Sequence, residues 1–180
     1  MKPGTRALGI AESYTANEST LAGAVVRADR VVDGVSFGSC TVGGLDATDC
    51  VIERWRDLDR PDVQYLLLAG VAPAWFNILD LHRIHDAVER PVLSVSFEAS
   101  PGLADAIERE FDDPGERLER YERQPAREDI TVNDETVYVR SVGCGDPAGV
   151  VRAFTPEGGR PEPVRVARLA ARAADDYRTD

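Results

Sequence analysis

Seven residues near the middle of the chain, Val63–Ala69 (VQYLLLA), form an almost unbroken apolar run between Asp62 and Gly70. A run this short fits a strand covered on both faces, the setting of a parallel sheet. Around it the hydrophobic period changes. Before it, a helix capped by Asp46 or Thr48 and ending near Leu58 places Val51, Trp55 and Leu58 at helical spacing. After it comes a loop, Gly70–Trp75. Phe76–Val88 then carries a helical stripe of Ile78, Leu81, Ile84, His85 and Val88. A strand is expected at Pro91–Phe97 (PVLSVSF), then a helix over Pro101–Phe111 with Pro101 in its first turn. Helix and strand in alternation argue for an α/β sheet with parallel pairs.

The opening reads differently. Arg6–Ala11, Leu21–Ala28 and Arg30–Phe37 are expected as three antiparallel strands. Asp33-Gly34 is either a hairpin turn or a bulge, and Cys40–Val42 either continues the third strand or begins another. Late in the chain, Asp113–Gln124 reads as a charged, solvent-facing helix, and Asp112–Asp129 as an inserted or mobile stretch. Ile130–Val132 and Thr136–Val142 pair around Asn133-Asp134. A helix over Asp146–Phe154 and a Gly/Pro loop over Glu157–Pro163 follow. A last helix, Val164–Tyr177, shows Val166, Leu169, Ala173 and Tyr177 on one face. A meander followed by αβαβ is the order of ribonuclease H-like folds. The expectation is therefore a mixed sheet flanked by helices, one domain over residues 1–180.

The charge is unevenly composed. The formal net charge is -11, Lys2 is the only lysine, and the acids are spread along the chain rather than gathered in a tail. Spread acidity with lysine removed matches the surface of a salt-adapted protein, kept in solution by self-repulsion. No overall basic stripe marks a nucleic-acid partner. In molar salt the counterion-release contribution is largely lost, so net charge neither supports nor excludes such a partner. Three scattered cysteines, Cys40, Cys50 and Cys144, form no disulfide framework or CxxC site. No apolar run approaches the roughly 20 residues that span a membrane, and no stretch has the order of a secretory signal. A cytoplasmic protein without a membrane partner is expected.

No phosphate loop, dinucleotide fingerprint or nucleophile elbow is present. His82 and His85 lie three apart on an expected helix and read as a surface and a partly buried histidine. Cys144, in GCGD, has no histidine nearby and reads as a turn residue. More informative are the acids near strand ends, because sites in α/β sheets gather there. Glu12, Asp46 and Asp80 fall after the first strand, after the third region and beyond the central strand. Together they would offer oxygen ligands for Mg²⁺, which takes one or two carboxylates plus substrate phosphates. A two-metal phosphodiester cleavage site needs such a cluster. The alternative reading is local: Asp46 caps a helix, Asp80 sits on a helix flank, and Glu12 is solvated.

Three strings sharpen this: RALGIAES (Arg6–Ser13), TVGGLDATD (Thr41–Asp49) and GVAPAWFNILDL (Gly70–Leu81). Together they resemble the archaeal endonuclease-dU family, which is similar to endonuclease V, the ribonuclease H-like nuclease of deaminated bases. The resemblance covers most of the chain and implies a Mg²⁺- or Mn²⁺-dependent endonuclease of DNA repair. Its substrate would be DNA with deaminated bases, deoxyuridine in particular, in a halophilic archaeon. It implies catalytic roles for Glu12, Asp46 and Asp80, with Glu12 and Asp46 on the metal. Arg27, Thr48, Trp75, Phe76 and Asn77 would contact nucleic acid, the aromatic pair by stacking on an extruded base.

The chain departs from the family's pattern at three places. The acids expected after the first strand reduce to Ala11-Glu12. The Asp-Gly before Leu45 is Gly43-Gly44, and the Asp-Gly at the end of the central strand is Ala69-Gly70. The glycines survive and the carboxylates beside them do not. An alternative therefore stands beside the nuclease: a non-catalytic module on the same fold, binding nucleic acid or a protein. A third possibility is an unrelated small-molecule enzyme or binding module on an α/β fold, which a deep apolar pocket elsewhere would mark.

Overall fold

The computed structural model describes residues 1–179. One seven-stranded sheet runs through it. Its strands are β1 (Arg6–Tyr14), β2 (Glu18–Arg27), β3 (Val32–Thr41), β4 (Val63–Ala69), β5 (Val92–Ser96), β6 (Glu128–Val132) and β7 (Glu135–Val142), in the spatial order β3-β2-β1-β4-β5-β7-β6. β1, β2 and β3 form the antiparallel meander; β1 with β4 and β4 with β5 are parallel; β5 with β7 and β7 with β6 are antiparallel. The sheet is mixed and ribonuclease H-like, as the element order implied.

Helices cover both faces. α1 (Ala47–Leu58) and α3 (Leu81–Val88) pack on one, over Leu8, Ile10, Leu66 and Leu68. α6 (Pro147–Phe154) and α7 (Glu162–Thr179) pack on the other, over Ala7, Leu67, Leu93 and Val95. Leu66, Leu67 and Leu68 are all fully buried. That is why the central strand reads as a continuous apolar run rather than an alternating one.

Several boundaries differ from expectation. β1 continues through Tyr14, so Glu12 stands within a strand, and β2 begins at Glu18. Asp33-Gly34 lies inside β3 at the register shift between Val25 and Val26, and is a bulge. The turn before β3 instead runs through Arg30, which has φ 74. Asn133 and Asp134, with φ 48 and 66, make the expected β6–β7 turn. The helix expected from Phe76 begins only at Leu81.

α7 buries Val164, Ala167, Ala171 and Asp175, while Leu169 is 54% and Tyr177 86% exposed. The expected stripe is thus the outer one. Small side chains decide this: a Cβ at Gly9 would overlap the Pro163 backbone, so α7 lies close on β1 and β2, over Ala11 and Ala24. The charged stretch forms α4 (Ala104–Glu110) and α5 (Gly115–Glu122). α5 is not a detached insert. Arg120 Nη1 donates to the Leu45 and Ile78 carbonyls at 3.0 and 3.1 Å, and Gln124 donates to the Leu79 carbonyl.

Candidate functional site

The chain leaves β1 for the meander on one side, then returns through α1 to β4 on the other. The β1/β4 boundary is therefore the switch point of the sheet, where α/β sheets hold ligands beyond the strands' carboxyl ends. β1 and β4 stay in register through Ile10 and Leu68. Glu12, Thr41, Gly70 and Ser96 thus all lie toward this edge.

Asp46 sits just before α1. One oxygen accepts from Asn77 Nδ2 at 2.7 Å and from the Thr41 N–H at 3.1 Å. The other accepts from Thr41 Oγ1 at 2.9 Å. Burial works against the charge on this carboxyl, but the donors from Asn77 and Thr41 prevail and hold its pKa below the usual range. Asn77, fully buried, also accepts from the Ala47 N–H at 3.0 Å and donates to the Thr41 carbonyl at 2.8 Å. Thr48, equally buried, accepts from the Asp80 N–H at 3.0 Å. Asp80 caps α3 by accepting from the Arg83 N–H at 3.0 Å, with Arg123 3.8 Å from its other oxygen. Asp46, Thr48, Asn77 and Asp80 are therefore brought together, and their polar atoms tie the loops after β3 and β4 to each other.

Between β4 and α3 the chain makes one tight turn, α2 (Pro73–Phe76), in which Ala74, Trp75 and Phe76 all have left-handed backbone, φ 49 to 57. Each such residue costs on the order of 1 kcal/mol or more. The turn is held from outside: the Gly43 N–H donates to the Ala74 carbonyl at 2.7 Å, and the Leu79 N–H to the Val71 carbonyl at 2.8 Å. It leaves Trp75 47% exposed. Trp75, Phe76 and Phe111 meet edge to face at 5.2 and 6.0 Å, and the Arg117 guanidinium lies 3.9 Å over the Phe111 ring. Arg117 also donates to the Gly43 carbonyl.

Glu12 accepts from the buried Ser19 hydroxyl at 2.7 Å through one oxygen. Arg27 is not part of this grouping. It pairs with Arg6 in the β1/β2 register and bonds to Asp29, at the opposite edge of the sheet. An antiparallel β2 that starts at the carboxyl edge must end at the other one.

A cavity of roughly 250 Å³ opens beyond the ends of β4 and β5, lined by Gly70, Ser94, Ser96, Tyr121, Arg127, Tyr138 and Arg140. Arg127 lies 4.6 Å over the Tyr138 ring and Arg140 5.6 Å from that of Tyr121. The Tyr121 hydroxyl accepts from the Leu103 N–H at 3.0 Å. Ala69 lines this cavity and also the small crevice beside Glu12. The sequence did carry one signal for it: Ser94 and Ser96 share a face of an otherwise apolar strand. A second missed residue is Asp175, 3% exposed, which accepts from Ser13 and Thr20 hydroxyls at 3.2 and 3.4 Å. Its signal was an acid on the 164–167–171 stripe of α7.

Among the described residues, no group of three His, Cys, Asp or Glu side chains is placed to hold a metal ion. Both Asp46 oxygens and one Asp80 oxygen are already engaged, and Glu12 keeps one free. This donor set does not fit a two-metal centre. Where the resemblance leads one to expect acids stand Ala11, which packs with Ala24 and Ala69 beneath α7, Gly43 beside Trp75, and Ala69. The remaining candidates are structural. His85 Nδ1 lies 2.8 Å from the Arg90 carbonyl, and burial pushes the Cys144 thiol up. No helix among the described residues is long and apolar enough to cross a membrane.

The sheet order and its flanking helices define a ribonuclease H-like α/β protein. The endonuclease dU family model matches residues 3–175, and the chain belongs to that family. A UPF0215 protein of Pyrobaculum calidifontis is 33% identical over 177 residues, 94% of this chain and 97% of that protein. Among solved structures, a protein of unknown function from Archaeoglobus fulgidus superposes with TM-score 0.84 at 24% identity, covering 94% of this chain and 98% of that one. Endonuclease V of Ciona intestinalis, solved with a 24-mer DNA containing an inosine followed by a ribo-adenosine, gives TM-score 0.62 at 12% identity. That match covers 96% of this chain and 86% of the other.

Proposed function

We propose that this protein recognises DNA carrying a deaminated base, deoxyuridine foremost, at the carboxyl edge of its sheet, and that recognition rather than two-metal cleavage is what its own residues perform. The cavity at Gly70 carries this reading. It is small, just under the roughly 300–1,000 Å³ of ligand pockets, and presents two tyrosines, three serines, two arginines and the Glu98 carboxylate. That mixture suits an extruded base with its phosphate: hydroxyls for the base edge, aromatic faces for stacking, guanidinium groups for the anion. Trp75, held outward by its strained turn, adds a stacking face at the same edge. The family name points to deoxyuridine, and the endonuclease V neighbour was solved on inosine-containing DNA.

A second reading has its own observation. Glu12 keeps one carboxylate oxygen free beside Ala69, and Mg²⁺ is often held by one or two carboxylates with substrate phosphates completing its shell. In that case Glu12, with Asp46 nearby, would hold Mg²⁺ or Mn²⁺, and the ion would supply an activated water. The test uses a labelled uracil-containing duplex in molar KCl with Mg²⁺ or Mn²⁺, beside a Glu12→Ala variant and a uracil-free control. Uracil-selective binding without cleavage supports recognition. Cleavage that requires metal, uracil and Glu12 establishes the nuclease. Equal binding to both duplexes sinks the deaminated-base assignment.

A further inference from the structure

The acidic surface has one basic flank. α7 runs alongside β1 in the same direction: its start lies against Gly9 and Asp175 meets Ser13, so its second half reaches the carboxyl edge. On α7 stand Arg168, partly buried, and Arg172, exposed, one helical turn apart. Arg160 joins them from the preceding loop. Its guanidinium lies 4.3 Å over the ring of Phe97, which follows β5 and packs with Leu93 and Val95 on the α6/α7 face, while Ser96 and Glu98 on either side of it line the cavity from the other face. Burial, and then the charges of Arg168 and Arg172, hold the Arg160 pKa below its usual value.

Like charges held together, in a chain of net charge -11, call for a partner. Among the described residues none of the three is ion-paired, although Arg165 beside them is paired with Glu162. The adjoining cleft is lined by Glu135, Glu157 and Glu162, and among the described residues none of them pairs with the triad.

We infer that Arg160, Arg168 and Arg172 form a phosphodiester-binding track that leads a nucleic-acid strand along α7 to the carboxyl edge of the sheet, over which the cavity is reached on the other face. This rests on the nucleic-acid reading above and adds a second site to it. The cavity would hold one nucleotide, and the track the backbone of its neighbours. Contacts of this kind fix register and supply affinity without reading sequence.

The experiment is fluorescence anisotropy with a labelled uracil-containing single-stranded oligonucleotide, titrated across a series of KCl concentrations in which circular dichroism reports folded protein. The proteins are wild type, the triple variant R160Q/R168Q/R172Q, and Arg172→Gln alone, whose exposed side chain keeps it clear of any folding defect. Each lost phosphate contact should lower the slope of log affinity against log salt by about 0.7. The triple variant should therefore lose about 2 from the slope and at least tenfold in affinity at the lowest salt, with its preference for uracil over thymine unchanged. Arg172→Gln should lose about 0.7. Wild-type binding with an unchanged slope in both variants overturns the track and leaves the cavity reading standing. No binding by wild type at any salt overturns both.

Discussion

Asn77 donates through Nδ2 to the Asp46 carboxylate at 2.7 Å and accepts the Ala47 N–H through Oδ1 at 3.0 Å, so one buried side chain joins the loop after β4 to the start of α1. Asn77→Ala would take one donor from a partly buried carboxylate and leave the Ala47 N–H without its acceptor. Leaving such groups unsatisfied costs roughly 2–4 kcal/mol. Urea unfolding should show a lower midpoint with an unchanged m-value. A midpoint within error of wild type would remove Asn77 from the role given it here.

The same carboxylate gives a pH prediction. Its folded pKa is depressed, so it stabilises the fold above its unfolded pKa, and that stabilisation is lost as pH falls through the folded value. Asp46→Asn turns an acceptor toward the Asn77 and Thr41 donors into a further donor. The variant should melt well below wild type near pH 7, and the gap should narrow below the usual carboxyl range of about 4. A gap constant from neutral to acid pH would contradict the assignment.

How much of this was legible in the sequence follows from where each choice is made. Val63–Ala69 and the Asn133-Asp134 turn declare themselves through local chemistry, and the order of helix and strand then implies the sheet. The delayed start of α3 does not. Ile78 fits the helical stripe of Leu81, Ile84 and Val88, but Asn77 and the Asp80 N–H are claimed by Asp46 and Thr48, about 30 residues earlier. Three successive left-handed residues without glycine cannot be read locally, because local sterics oppose them and only the Gly43 and Leu79 hydrogen bonds impose them. On α7 two apolar stripes compete, and the close approach at Gly9 selects the smaller one. The acids were legible by position, but not the fact that most of their oxygens are already engaged. The cavity was hidden because it needs β7 to insert between β5 and β6, joining Gly70 to Arg140.

Trp75 offers a direct optical check. It is half exposed and supported mainly by Phe76, so Trp75→Ala should change stability by no more than about 1 kcal/mol. If it stacks on a base, the variant should lose about tenfold or more in affinity for single-stranded DNA, in line with roughly 1–3 kcal/mol per stacked base. In a Trp55→Phe background, DNA should quench the remaining fluorescence. Unquenched emission at saturating DNA would exclude stacking.

The thiols should be inert in the folded state. Burial, with the neighbouring Cys50, Asp46 and Glu12 charges, pushes Cys40 up to about 12, and burial beside Asp46 pushes Cys50 up to about 11. A thiolate is the reactive form. At pH 8, Ellman's reagent should label both slowly in native protein and fully after denaturation. Fast labelling of either in the native state would show that this region opens readily.

Restoring the missing acids tests the metal question from the other side. Gly43 has φ 70, a conformation that aspartate tolerates better than most side chains, and a Cβ there would meet nothing closer than Trp75 at 3.7 Å. The triple variant A11D/G43D/A69D would place carboxylates where the resemblance to the family leads one to expect them. Ala11 is 3% exposed, so without metal the new charges should repel and destabilise the fold. Mn²⁺ should then raise the variant's melting temperature, since a ligand at about 100 times its Kd adds about 2.7 kcal/mol, while wild type should show little response. Metal-dependent cleavage of uracil-containing DNA by the variant alone would mean that the fold kept the nuclease's geometry and lost only its ligands. A variant that neither gains stability from Mn²⁺ nor cuts would mean that the loops around Gly43 and Ala69 have been rebuilt for recognition.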